Sequence, residues 1–507
     1  MDFPILSVIT FTPLAGALLL LLIRKDQEEL IARLALAVTV VPLILAFVLW
    51  ANYDQAAGGM QFTEQHEWIP VLDSNYTLGL DGLSLPLVLL TAGLSFLATF
   101  YSNFTIKERV KEYFMSLLML EMGMLGVFLS LDFVLFYVFW EIGLVPMLLL
   151  IALWGGPRRE YAAIKFFLFT LAGSVGMLLA IIAVYLETGT FSILEAAAAR
   201  PFADNFTYAA TAFWAFFIAF AIKLPSFPIH TWLPDAHTEA PVCGSVLLAG
   251  VLLKLGAYGL LRITLPLFPQ VFGYYSAVVP ILPILAVISI VYGAMVCMAQ
   301  WDLKKLIAYS SVSHMGYVLL GISAGAAGIY LGGDELLSSA NLALNGAAMQ
   351  MFTHGIITGA LFFLVGVIYD RTHTRELKAF GGLGTQMPYF YGMMLVTSFA
   401  SLGLPGLVGF WSEFFIFRGS MGTIPTFAII GGLGIVFTAG YILWNIVQHM
   451  FLGEPKERWA HLSDMEWWEK ATLWPLLATM LAFGIYPTPI LNLINTAMES
   501  MTHTLVR

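Results

Sequence analysis

The sequence predicts an all-α polytopic membrane protein. Three observations predict it: 59% of the 507 residues are hydrophobic and only 11% are charged, and the mean hydropathy is +0.85. Soluble domains carry about 25% charged residues, and no soluble core could hide this much apolar surface from water. That excludes a soluble enzyme, a nucleic-acid binder and a disordered chain. The apolar runs are continuous rather than alternating, so they are helices and not the strands of a barrel.

A spanning helix needs about 20 apolar residues, and that length rule gives about 14 spans. They centre near residues 14, 41, 90, 121, 142, 174, 220, 253, 288, 313, 355, 403, 437 and 483. The first run ends at Leu22-Ile23 before Arg24-Lys25 with no small-residue cleavage site, so it is expected to be a span and not a signal peptide. Polar stretches 52–77, 187–207 and 452–470 are expected to be loops, leaving no soluble domain. Cys243 and Cys297 both lie in apolar runs. Two thiols supply neither a four-thiolate cluster nor a disulfide framework.

Lys and Arg sort the loops by membrane face. Alternate loops hold Arg24, Lys25, Arg33; Lys107, Arg109, Lys111; Arg158, Arg159; Lys304, Lys305; Arg371, Arg375, Lys378; and Lys456, Arg458, Lys470, which is 16 of the 23 basic residues. The opposite face holds only Arg200, Arg262, Arg418 and Arg507. With an even number of spans, both termini are expected on the outer side. Three basic residues remain, Lys165, Lys223 and Lys254, each inside an apolar run.

A charge at the bilayer centre costs about 2.5–3.5 kcal/mol on insertion scales, so such residues face the protein interior and by default mark an ion or proton path. The acidic candidates are Glu141 in FYVFWEIGLVPM and Glu413 in VGFWSEFFIF. Glu121 and Asp132 are weaker candidates, local pairing being the competing reading for Glu121 and a position near a turn that for Asp132. A lone buried polar residue is as readily a satisfied structural contact; three lysines and two glutamates in one bundle weigh against that, since a structural pair needs no third lysine. His314 and His354 lie within spans and His230 just past a helix break. Histidine titrates near neutrality, which suits a proton relay, while a core histidine bonded to a neighbour is the competing reading and metal or haem ligation a weaker one. No HExxH, Walker or strand-borne GxGxxG motif is present, so the chain is expected to bind neither ATP nor a nicotinamide cofactor.

Two spans carry helix breakers. Lys223 precedes Pro225 and Pro228, and Gly403, Pro405, Gly406 and Gly409 precede Glu413. Broken backbone at membrane depth is tolerated only where it lines a cavity or is buried in protein. Each break has a Leu-Pro step followed six or seven residues later by Trp232 or Trp411. Corresponding broken helices in two halves of a chain are the sign of an inverted repeat. The breaks are 180 residues apart, and AAIKFF at 162 and AAMQMF at 347 are 185 apart, setting Lys165 opposite Gln350; a rival register aligns Lys165 with Lys305. The expected organisation is three N-terminal spans (1–111), a first five-helix repeat (112–264), a second, inverted one (277–451), and a loop with a C-terminal span (452–507).

WEIGLVPM at 140–147, the block KLPSFPIHTWLPDAHTEAPVCGSVLLAGVLLKLGAYGLLR at 223–262, DLKKLIAYSSVSHMG at 302–316 and GLPGLVGFWSEF at 403–414 resemble the proton-translocating antiporter-like subunits of respiratory complex I, most closely the M type of bacterial NADH:quinone oxidoreductase. The WExxLVPM element and a glutamate in the second broken helix, where sister subunits carry lysine, favour that type. The resemblance covers essentially the whole chain and implies fourteen helices, a bacterial inner-membrane location with periplasmic termini, and partnership with the lipid bilayer and the other membrane-arm subunits, sister antiporter-like subunits included. It also implies that flavin, iron–sulfur clusters and the quinone site sit on other subunits, with no cofactor, metal, nucleic acid or direct NADH binding in this chain. By resemblance, Glu141 and Lys223 form an ion pair, Lys254 is the central lysine, Glu413 is the terminal proton-bearing group, and His314 and His354 lie on the polar axis, with Lys165 and His230 as secondary members. The expected chemistry is electrostatic: burial disfavours a charged lysine and a nearby carboxylate favours it. Movement of Lys223 between Glu141 and Lys254 would then drive a proton toward Glu413. An Mrp-type cation/proton antiporter subunit is the alternative.

Overall fold

A computed structural model describes residues 3–506. Two helices open the chain, α1 (Ile5–Leu22) and α2 (Glu28–Asn52). An antiparallel hairpin follows, β1 (Gln61–Ile69) and β2 (Ser74–Leu80), so the stretch 52–77 is not merely a loop. The hairpin is tied to the helices by Glu64, whose carboxylate accepts from the backbone N–H groups of Leu6 (2.7 Å) and Ser7 (3.0 Å). These belong to the first turn of α1, where N–H groups lack helical partners.

Next come α3 (Ser84–Thr105), α4 (Val110–Leu129), α5 (Phe133–Ile142), α6 (Leu144–Trp154), α7 (Arg159–Thr188), α8 (Ile193–Ala199), α9 (Phe206–Lys223) and α10 (Trp232–Glu239). The long helix α11 (Val242–Leu267) contains two π-helical turns, Leu248–Leu252 and Leu260–Thr264. After it run α12 (Ile281–Ala299), α13 (Leu303–Leu331), α14 (Asp334–Thr372), α15 (Pro388–Ser401), α16 (Val408–Thr423), α17 (Pro425–Phe451), α18 (Trp467–Ile485) and α19 (Thr488–Val506). Aspartates start two of them: Asp132 accepts from Val134 and Leu135 N–H groups ahead of α5, and Asp302 from Lys304 and Lys305 ahead of α13. Each such cap stabilises its helix by about 1 kcal/mol.

Among the described residues, 12 helices are long and apolar enough to cross a membrane, α5 and α6 together making one; α18 and α19, bent by 69°, add a thirteenth span. The expected fourteenth, near residue 403, is divided into α15 of 14 residues and α16 of 16. Each piece is shorter than the rule requires, so length and composition support 12 or 13 spans rather than 14.

Burial sorts the bundle. Over an 18-residue window α11, α13 and α14 are completely buried, whereas α2 and α17 are 33% buried and α7 39%. A helix apolar all round belongs at the centre, and one with an exposed apolar face lies at the lipid or partner boundary. Close approach at the centre uses small residues, as in other membrane bundles: a Cβ on Gly346 of α14 would lie 2.5 Å from the Ile416 nitrogen of α16.

The positional sorting of basic residues needs two corrections. Arg262 is not in an outer loop but inside α11, 7% exposed, donating to Asp81 at 2.5 Å and to Tyr258 Oη at 3.2 Å. Burial alone would raise the Asp81 carboxyl, but the Arg262 charge overrides it and holds Asp81 below its ordinary value. Lys304 is likewise 5% exposed rather than in a loop, because its side chain turns inward from the start of α13 to donate to the Ala240 carbonyl at 2.5 Å.

Candidate functional site

The three central helices bring together residues far apart in sequence. Lys254 is completely buried in α11 between the two π turns. Its ammonium donates to the Ala249 carbonyl, five residues back, at 2.5 Å and contacts His354 Nδ1 of α14 at 2.8 Å. The π turn matters here: widening the helix takes a carbonyl out of the regular i→i−4 ladder, and such turns recur at functional sites. An ammonium has donors only, so with Lys254 charged, His354 accepts at Nδ1 and carries its own proton on Nε2, which has no hydrogen-bond partner among protein atoms.

His314 of α13 follows, its ring centroid 5.6 Å from that of His354. Its Nε2 meets Ser401 Oγ at 3.0 Å, and its Nδ1 lies 3.4 Å from Glu413 Oε1. Between the two imidazoles and the Glu413 carboxyl is a cavity, completed by Gln350 and Ser401, with a water-accessible volume of about 10 Å³. That is about the size of one water site. Gln350 is fixed in turn by Ser412 Oγ and by Thr353 Oγ1 at 3.2 Å. Glu413 reaches the cavity because the α15–α16 break lets it: Gly403 has φ +75°, and a Cβ there would meet the Glu413 carboxylate at 2.6 Å. Only glycine serves both the left-handed backbone and the contact.

At the other end stands Lys223, the last residue of α9, 2% exposed. The expected direct ion pair with Glu141 is not formed. Lys223 Nζ has no hydrogen-bond partner and lies over the Trp140 ring at 5.0 Å, with the Phe166 ring at 6.0 Å, while Glu141 Oε1 is buried and unpartnered. The cation lies over an aromatic face instead of in direct contact with the neighbouring carboxylate. Trp232 organises the break after Lys223 by donating to the Ile222 carbonyl at 3.0 Å, which the interrupted helix leaves free. Trp411, its expected counterpart, donates instead to Gly484 of α18 at 2.8 Å. Gly256 lets α9 end directly on α11, since a Cβ there would lie 2.4 Å from the Phe220 carbonyl oxygen and 3.1 Å from Lys223 Cβ.

Two expected members stand apart from this file. Lys165 pairs with Asp235 at 2.7 Å, the two side chains 19% and 25% exposed. His230 is buried against Phe227 and Tyr292, with ring centroids at 5.9 and 5.4 Å and Nδ1 unpartnered. Glu121, the weaker acidic candidate, does not pair locally: it is fully buried on α4 and neither oxygen has a partner. Sequence reasoning did not find Ser401 and Ser412, because a serine in an apolar run carries no charge to mark it. Trp140 was visible only as part of WEIGLVPM.

Comparison with known proteins identifies the family. Residues 130–438, which contain all of Glu141, Lys223, Lys254, His314, His354 and Glu413, match the family model described as NADH:quinone oxidoreductase/Mrp antiporter, TM. NADH-quinone oxidoreductase subunit M of Rhodobacter capsulatus is 43% identical over 98% of this chain and 96% of the relative. A chain of respiratory complex I from Thermus thermophilus, solved with bound NADH, superposes with a TM-score of 0.87 at 30% identity, covering 99% of both chains. A chain of the Mrp complex from Dietzia sp. DQ12-45-1b shares the fold, with a TM-score of 0.83 at 19% identity over the full length of both. The chain therefore belongs to the antiporter-like membrane subunits of NADH:quinone oxidoreductase, within the subunit M family.

Proposed function

We propose that this chain translocates one proton per cycle across the membrane through Lys254, His354, His314 and Glu413, and that Lys223, moving between Glu141 and Lys254, sets the stroke. The observation that carries the reading is the buried file itself: Lys254 to His354 at 2.8 Å, His354 to His314 across a one-water cavity, and His314 to Glu413 at 3.4 Å. When Lys223 approaches Lys254, two like charges meet in a buried site; at about 4 Å and an effective dielectric near 20 their repulsion is about 4 kcal/mol. Lys254 relieves it by giving its proton to His354 Nδ1. His354 releases its Nε2 proton through the cavity to His314 or Glu413, which leaves the proton on Nδ1; a ring flip or tautomer shift then returns it to Nε2 so that Nδ1 can accept again. Lys223 resting on Trp140, paired with neither Glu141 nor Lys254, fits a switch between two partners.

The relatives' name, NADH-quinone oxidoreductase, supports electron transfer from NADH to quinone as the energy source, and the reading assigns flavin, iron–sulfur clusters and the quinone site to other subunits of the complex. The exposed apolar faces of α2, α7 and α17 suit lipid and neighbouring membrane-arm subunits, the sister antiporter-like chains among them. With an even number of spans, the sorting of the remaining loop Lys and Arg residues favours both termini on the outer side. The two-repeat organisation, 112–264 and 277–451, is supported by the matched aspartate caps at Asp132 and Asp302, 170 residues apart, and by π turns in both α11 and α17.

Glu413→Gln in the assembled complex tests the reading, because the amide keeps the shape and cannot carry the proton. NADH-driven acidification of inverted membrane vesicles is expected to fall sharply while NADH oxidation persists with uncoupler. Pumping at the wild-type rate would remove Glu413 from the path.

A further inference from the structure

Two buried ionisable side chains lie outside the relay and beside one end of it. Lys304, the second residue of α13, turns its ammonium inward to the Ala240 carbonyl at 2.5 Å instead of extending to water. Lysine at a span end ordinarily snorkels outward, and burial at a helix N-terminus is a costly place for a fixed cation. His237 of α10 is fully buried and lies flat on Phe362 of α14, with centroids 4.6 Å apart at 11°. Neither of its ring nitrogens has a hydrogen-bond partner. A histidine kept only for packing would place at least one nitrogen on a neighbouring donor or acceptor, as buried polar atoms generally do.

The corner between α10 and α11 connects the two. Ala240, which holds Lys304, is three residues after His237. Outward, Lys304 is two residues from Asp302, whose partly exposed carboxylate faces Arg375 at 3.3 Å. Arg375 also donates to the Thr238 carbonyl, next to His237, at 2.8 Å. Inward, the Ser245 hydroxyl donates to the His237 carbonyl at 3.1 Å, and one turn further along α11 is Ala249, the carbonyl that holds Lys254.

We propose that Lys304 and His237 are the inner-face proton inlet that reloads Lys254. Lys304 takes one proton from the inner aqueous phase and passes it to one ring nitrogen of His237. The opposite nitrogen releases its proton toward the Lys254 amine left neutral by the preceding stroke. One proton enters for each that leaves toward Glu413, and no redox change accompanies it. The inlet rests on the relay reading, so its test must fail separately from that reading.

The test uses inverted vesicles holding the assembled complex, reading protons pumped per quinone reduced in water and in deuterium oxide. Lys304→Arg keeps the charge but cannot release its proton. His237→Phe keeps the stack on Phe362, and His237→Gln keeps a polar edge should the phenylalanine variant not assemble. Each is expected to slow pumping at least about tenfold, with a larger solvent isotope effect than wild type. Lys254→Met is measured beside them. Wild-type pumping in Lys304→Arg or in a His237 variant, with pumping lost in Lys254→Met, overturns the inlet and leaves the relay. Slowed pumping with an unchanged isotope effect assigns these residues to packing and also overturns the inlet. Wild-type pumping in Lys254→Met overturns the relay itself.

Discussion

Trp140 offers a graded way to perturb the switch without touching an ionisable group. Lys223 Nζ lies 5.0 Å from the centre of the indole and makes no hydrogen bond. A cation over a tryptophan face gains about 0.5 kcal/mol when exposed and about 2 kcal/mol when desolvated. Leucine at 140 removes that attraction, which shifts Lys223 toward Glu141 by a factor of about 2 to 30. With Lys223 held at Glu141, Lys254 keeps its proton longer, and the pumping stroke slows by a similar factor. The series Trp140→Tyr, Trp140→Phe, Trp140→Leu should fall in that order, as the ring face weakens and then disappears. Ser174→Ala is the control, because it removes the 3.1 Å hydrogen bond from the indole N–H and leaves the ring face. The assay is the initial rate of vesicle acidification divided by the uncoupled quinone-reductase rate. Equal pumping across the series, or a Ser174→Ala defect as large as that of Trp140→Leu, would refute the switch and leave Trp140 a packing residue.

Further outcomes follow from other contacts. Asp81→Asn leaves the Arg262 guanidinium buried without its partner and should cost about 3–5 kcal/mol, read as a lower unfolding temperature of the purified complex. Because Arg262 holds the Asp81 carboxyl below its ordinary 3.8, the pair's contribution is complete above about pH 4. It is lost as pH falls through the lowered folded value, so acid titration should narrow the gap between wild type and Asp81→Asn. Lys165→Met breaks a pair whose members are 19% and 25% exposed; such pairs contribute about 0–1 kcal/mol, and pumping should stay near wild type. Gly346→Val places a side chain where a Cβ already lies 2.5 Å from the Ile416 nitrogen and should cost about 1–3 kcal/mol by overpacking, seen as reduced assembly.

Much of the site was legible because lipid makes charge conspicuous. Lys223, Lys254, Glu141 and Glu413 interrupt apolar runs, and the Pro and Gly breaks beside two of them are visible in the chain. The same logic misjudged basic residues near span ends. Lys304 and Arg262 occupy positions where loops begin, and only tertiary packing reveals that one turns inward to Ala240 and the other to Asp81. Lys165 shows the reverse: its apolar run is real, but its side chain is partly exposed and paired with Asp235. The π turns framing Lys254 leave no periodic signature in a run that is apolar throughout. The β1–β2 hairpin is short and polar, and its docking depends on Glu64 reaching helix N–H groups nearly 60 residues away. The Glu141–Lys223 contact depended on a choice between a carboxylate and an indole face that spacing does not encode.

The most direct measurement is the number of protons pumped per NADH oxidised in vesicles carrying Lys254→Met in otherwise intact complex. The relay predicts that at least this chain's one proton per cycle disappears while electron transfer continues with uncoupler. An unchanged ratio would contradict it, since no proton could then be passing through Lys254 to His354.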